Sequence, residues 1–130
     1  MRKRIISIIL TIMLIIKPYI SYATNNDVEY IDRKFIIRNE GLVNRPYYDI
    51  GGLKTYCVGR LASRDYELKE YYTNEECLDL LEIDIQLFAD AVAPCITVYL
   101  TPNQFTAVID FVYNLGPEAY CISTLHRDIN

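Results

Sequence analysis

Three stretches of the chain repeat apolar residues with a helical period, and one alternates as a strand does. Val28, Ile31, Phe35 and the Ile36-Ile37 pair recur at helical spacing until Gly41 interrupts the run. Asn25, Asn26 and Asp27 stand just ahead with capping side chains, so a helix is predicted from Val28 to Glu40. The rhythm then changes. Pro46 restricts the backbone before Tyr47, Tyr48 and Asp49, Ile50-Gly51-Gly52 forms a turn, and Leu53 to Val58 is rich in strand-forming types. This predicts a β-hairpin centred on Gly51-Gly52, followed by an irregular stretch holding Tyr66, Tyr71 and Tyr72.

Thr73-Asn74-Glu75-Glu76 is a capping box, in which the Thr hydroxyl and the Glu carboxylate each satisfy an open backbone donor. The helix it starts is expected to bury Cys77, Leu80, Leu81, Ile85, Phe88 and Val92. Glu82, Asp84 and Asp90 are left to water, and the helix stops before Pro94. A second box, Thr101-Pro102-Asn103-Gln104, opens a third helix with Pro at its first position, a buried stripe of Phe105, Val108, Ile109 and Val112, and Gly116-Pro117 as its stop. A short further helix is expected from Ser123-Thr124, with Leu125 and Ile129 on one side. With no internal repeat or linker, the pattern reads as one α+β domain in which a hairpin packs beside several helices.

The first residues belong to a different kind of segment. Met1 to Arg4 is basic, Ile5 to Ile16 is apolar except for Ser7 and Thr11, and Ser21-Tyr22-Ala23 places small residues where a signal peptidase reads. The apolar run ends at Lys17-Pro18, short of the roughly 20 residues that cross a bilayer. Residues 1–23 are therefore read as a cleaved export signal and 24–130 as the mature domain, in the periplasm or outside the cell, with no stable membrane anchor after cleavage. Removing Arg2, Lys3, Arg4 and Lys17 from 13 basic residues leaves nine against 17 acidic ones, a net charge of −8. Such a chain lacks the Lys and Arg that neutralise phosphates, which argues against nucleic acid as a partner. Export places Cys57, Cys77, Cys95 and Cys121 where disulfides persist. Three connectivities are open to them, and pairing neighbours would close two short, separate loops. No Cys-x-x-Cys spacing occurs and His126 is the only histidine, so no metal is expected.

Candidate chemistry lies at the junction of the first helix and the hairpin. Glu40 falls in the last turn of its helix, where the negative end of the dipole disfavours a carboxylate and raises its pKa toward what a general acid needs. Asp49 precedes the hairpin turn, a place where Asp commonly bonds the turn backbone. A helix end followed by a tight hairpin also sets a second carboxylate across a cleft from the first, the usual equipment of glycoside hydrolysis. Thr55, on the returning strand, is placed to help Asp49 orient a water.

Glu40-Gly41-Leu42, Tyr48-Asp49-Ile50-Gly51-Gly52 and Thr55-Tyr56-Cys57-Val58-Gly59 together resemble the catalytic signature of phage-type lysozymes, glycoside hydrolase family 24. Tyr72 to Cys77, Leu100 to Phe105, Phe111 to Gly116 and Cys121 to Leu125 are similar to successive later landmarks of that family, so the resemblance spans Val28 to Asn130. It implies a lysozyme-like fold and hydrolysis of the bond after N-acetylmuramic acid in peptidoglycan glycan strands, with inversion. Glu40 is the implied proton donor, and Asp49 with Thr55 the implied holder of the attacking water. Leu61 and Tyr113 fall where the family lines its saccharide cleft, and neither metal nor organic cofactor is implied. The cysteines resemble those of an exported subset, which supports neighbour pairing. Two departures stand out. Arg60 occupies the place where the family usually carries His, and a cation near Glu40 would favour its ionised form. Family members also continue past the segment that Leu125 to Asn130 matches, which makes this a C-terminally truncated member. Val108, Ile109 and Val112 are then expected to lack part of their cover, and the alternative function is an inactive relic or a glycan-binding protein.

Overall fold

The computed structural model describes residues 28–64 and 67–130, so the expected export signal and Tyr66 lie outside the described residues. Helix α1 runs Arg33–Glu40 and leads into strands β1 (Val43–Tyr48), β2 (Lys54–Cys57) and β3 (Arg60–Leu61). After a short 3₁₀ turn come α2 (Asn74–Val92), α3 (Pro102–Leu115), α4 (Pro117–Cys121) and α5 (Thr124–Ile129). The strands form one antiparallel sheet in the order β1-β2-β3. The architecture is α+β, as the residue pattern predicts.

The first helix is shorter than its apolar spacing suggests. Val28 and Glu29 belong to a separate helical turn, and Asp32 caps α1, its side chain accepting from the Phe35 N–H at 3.1 Å. The Asp32 N–H is itself taken by Thr106 Oγ1 of α3 at 3.0 Å. An Asp four residues past Val28 thus competes successfully for the cap and divides one apolar run in two. Both predicted capping boxes form, at Thr73 with Glu76 and at Thr101 with Gln104.

The main core cluster is largely helical. Ile36 of α1, Leu81, Ile85 and Val92 of α2, and Val108, Ile109 and Val112 of α3 are all at most 1% exposed. Each such side chain contributes about 1.5–3 kcal/mol on burial. The expected loss of cover over Val108, Ile109 and Val112 is therefore not found: α1, α2 and α4 close around α3, and Tyr120 of α4 is fully buried among them. Past that stripe, Leu115, Ile122 and Leu125 are exposed.

A second, smaller cluster joins the sheet to α2 through Tyr56, Cys57, Tyr72 and Cys77, with the Tyr56 and Tyr72 rings stacked 4.6 Å apart. Neighbouring cysteines are paired. Cys57–Cys77 fastens β2 to the start of α2, and Cys95–Cys121 fastens the far end of that helix to α4.

Candidate active site

Sheet register decides which side chains reach the cleft. Tyr47 of β1 lies opposite Thr55 of β2, and Thr55 opposite Leu61 of β3, so these three form a row on one face. Asp49 and Leu53 extend the same face, two residues beyond Tyr47 and two before Thr55. Tyr56 and Arg60, the adjacent cross-strand pair, take the opposite face toward α2. A cleft of about 310 Å³ lies between the first face and the helices, lined by Glu40, Tyr47, Asp49, Leu53, Thr55, Gly59, Leu61, Phe88, Tyr113 and Asn114. The structure thus brings all five sequence-predicted residues, Glu40, Asp49, Thr55, Leu61 and Tyr113, to one cavity.

Glu40 is the last residue of α1, and Gly41 ends the helix at φ 79°, a conformation that favours glycine, with its N–H bonded to the Ile37 carbonyl. Burial is the largest influence on this half-buried carboxyl and raises its pKa above the ordinary glutamate value. A hydrogen bond from Asn114 Nδ2 to Oε1, 2.7 Å long, works in the lowering direction, and the nearby Asp110 carboxylate adds to the raising. Asp49 holds its own turn: Oδ1 accepts from the Leu53 N–H at 2.8 Å and its N–H donates to the Leu53 carbonyl at 2.9 Å. Asp49 Oδ2 makes no hydrogen bond among the described residues. Thr55 is 4% exposed, and its hydroxyl also has no hydrogen-bond partner among them. Buried hydroxyls are ordinarily paired, so an unpaired one at the cleft wall stands out.

Arg60, the departure whose bearing on Glu40 depends on where its side chain points, faces away from the cleft. Its guanidinium turns to the far face of the sheet, where it pairs with Asp84 of α2 and donates to the Tyr56 hydroxyl at 3.1 Å. Asp84, expected to face water, is fully buried. The spacing Leu81, Asp84, Ile85, Phe88 shows why: Asp84 sits within the apolar stripe of α2, and a charge there needs the partner that Arg60 supplies. Tyr113 connects the two faces. Its hydroxyl donates to the Val58 carbonyl at 2.8 Å and stands 3.4 Å from Asp84 Oδ2, while its ring packs edge-on against Phe88 in the cleft.

Asn114 and Asp110 escaped the sequence reading. A signal for them exists: they stand four apart on α3, off the buried stripe of Phe105, Val108, Ile109 and Val112, and Asn114 comes just before the helix-ending Gly116. The Glu40 to Asn114 contact spans 74 positions, which no local pattern reveals. Among the described residues there is no cluster of His, Cys, Asp and Glu that would hold a metal.

Against known proteins, the profile of the phage lysozyme family matches residues 37–130. The SAR-endolysin of Escherichia phage Mu is 37% identical over 98 residues, 75% of this chain and 56% of that protein. The chain therefore spans about half the length of the curated relatives it matches. Among solved structures, the endolysin of Escherichia coli O157:H7 phage FAHEc1 superimposes with a TM-score of 0.62 at 27% identity, covering 80% of this chain and 64% of that one. The muramidase domain of SpmX from Asticaccaulis excentricus gives a TM-score of 0.63 at 28% identity, covering 82% and 68% respectively. The fold is that of these lysozymes, a helical body with a small antiparallel sheet flanking the cleft, and the chain belongs to the phage lysozyme family.

Proposed function

We propose that this chain is a peptidoglycan N-acetylmuramidase that cleaves the glycosidic bond between N-acetylmuramic acid and N-acetylglucosamine, and so degrades bacterial cell wall. Glu40, whose burial favours the protonated form, donates its proton to the leaving glycosidic oxygen. Asp49 Oδ2 and the Thr55 hydroxyl hold a water on the other side of the sugar. Asp49 takes a proton from that water as its oxygen attacks the anomeric carbon, and the configuration there inverts. Leu61 and Tyr113 form the walls against which the saccharide lies.

One observation carries this reading. A half-buried carboxyl on a helix end, a turn-held carboxylate and an unpartnered buried hydroxyl face a single cleft. The matched proteins add support, since they are called endolysins and, in one case, a muramidase domain. Two disulfides and the SAR-endolysin relatives also support a working place outside the cytoplasm, in the periplasm or beyond.

Release of reducing ends from purified peptidoglycan by the full chain is the expected result, each new end first appearing with the configuration opposite to that of the cleaved bond. Undiminished release by Glu40→Gln would overturn the assignment of the acid. Saturable glycan binding with no turnover would overturn the enzymatic reading altogether.

A further inference from the structure

We infer that Asn114 is a positioning residue for Glu40: its side-chain amide occupies Oε1 and thereby reserves Oε2, the oxygen beside Gly59, for the proton that Glu40 delivers. The inference rests on the reading of Glu40 as the acid. Asn114 Nδ2 lies 2.7 Å from Glu40 Oε1 and 3.0 Å from the Asp110 carbonyl oxygen. A backbone carbonyl can only accept, so the nitrogen must be the atom on this side of the amide, and both of its hydrogens are used. In a protonated carboxyl the carbonyl oxygen is the better acceptor of an N–H, so the amide at Oε1 favours the hydroxyl hydrogen on the other oxygen.

Oε2 is the oxygen beside Gly59, where an added Cβ would come within 3.5 Å of it. Gly59 has φ 66° and no side chain, so the turn after β2 approaches the carboxyl without covering it. The amide therefore does two things at once. It holds the carboxyl against α3, and it leaves Oε2, beside the cleft-lining Gly59, as the oxygen for the proton.

Among the described residues, the charged and titratable groups around Glu40 are Arg38 on its own helix, Asp110 and Tyr113 on α3, and Tyr47 and Asp49 on the hairpin, while Arg60 on β3 is committed to Asp84. Asp110 is tied in place by Asn39 Nδ2, 3.2 and 3.1 Å from its two carboxylate oxygens. Asn114 is the neutral donor in this set that touches the carboxyl itself.

The test uses the full chain with Asn114→Ala and two readouts: the pH dependence of reducing-end release, and the titration of the Glu40 side-chain carboxyl by carbon NMR. Loss of a donor to the ionised form should move the Glu40 titration, and with it the alkaline limb of kcat/KM, to higher pH. Loss of orientation should lower kcat at the optimum about 10- to 100-fold. A purely structural role would instead change the unfolding temperature and leave both profiles in place. Unchanged titration and limb would overturn the proposal. If the wild-type chain releases no reducing ends, the muramidase reading fails by itself, and the NMR titration still decides whether Asn114 governs Glu40. Asn114→Leu, which refills the volume without a donor, should repeat the Ala result. If its titration matches wild type, the shift seen with Ala came from an opened cleft, and the proposal fails.

Discussion

The two faces of the small sheet treat polar groups in opposite ways. On the α2 side, Arg60, Asp84 and Tyr56 satisfy one another in the interior, and the disulfide Cys57–Cys77 closes the same region. On the cleft side, Thr55 carries a buried hydroxyl that no described residue engages, and Asp49 commits only one of its oxygens to the turn. Satisfied polar groups lock a fold together, whereas unsatisfied ones are a cost to folding. The hairpin is thus bonded and disulfide-linked behind, while its front leaves polar atoms without partners among the described residues.

The largest effect should come from the front. General acid catalysis typically contributes about 100- to 10 000-fold, so Glu40→Gln is expected to lower kcat by that range while leaving the fold intact. Release of reducing ends, with circular dichroism as the check on folding, measures it. A loss of structure equal to the loss of activity would erase the distinction between the faces.

Substitution behind the sheet should do the reverse. Asp84→Ala strands the Arg60 charge in the interior, and breaking a buried pair in this way costs about 3–5 kcal/mol. Urea unfolding should show that loss, and the double substitution Arg60→Met with Asp84→Leu should recover most of it. A cost below about 1 kcal/mol, the level of an exposed pair, would mean that the pair is not desolvated in solution.

These two faces were unequally legible in the sequence. The cleft residues Glu40, Asp49 and Thr55 sit at a helix end and about a tight turn, places defined by local pattern, and strand alternation puts Asp49 and Thr55 on one side. Asp84 was assigned to solvent because it is charged, although its spacing with Leu81, Ile85 and Phe88 lies inside the stripe. Its ion pair with Arg60, 24 positions away, accounts for its burial, and the charge of the residue alone does not foretell that partner. The break before α1 is hidden for a related reason, since the apolar period runs past Asp32 while the capping residue is held by Thr106 from another helix. Long-range partners decided each of these cases, and a single sequence does not display them.

The disulfides sharpen the contrast at a smaller scale. Each closes a loop of comparable length, with separations of 20 and 26, so each is expected to contribute about 3 kcal/mol through the unfolded chain. Their effects on activity should differ. Paired substitution of Cys57 and Cys77 by Ser releases the hairpin behind Thr55 and should reduce kcat along with stability. The same change at Cys95 and Cys121 should reduce stability alone at temperatures where the chain stays folded. Equal losses of kcat from both pairs would show that the sheet is held by the core rather than by its own bridge.

The smallest effect is a pH-dependent one, and it joins cleft chemistry to folding. Burial raises the Glu40 pKa above its unfolded value, so the native state binds this proton more tightly than the unfolded chain does. The slope of stability with pH is then negative between the ordinary carboxylate value and the raised one: the contribution is full below that window and is lost as pH rises through it. Glu40→Gln, which mimics the protonated form, should therefore match the wild type in unfolding temperature below the window and exceed it slightly at neutral pH. An inverted order, with Gln less stable at neutral pH, would mean that the Asn114 bond to the ionised carboxylate outweighs burial, and that the carboxyl is held for charge rather than for its proton.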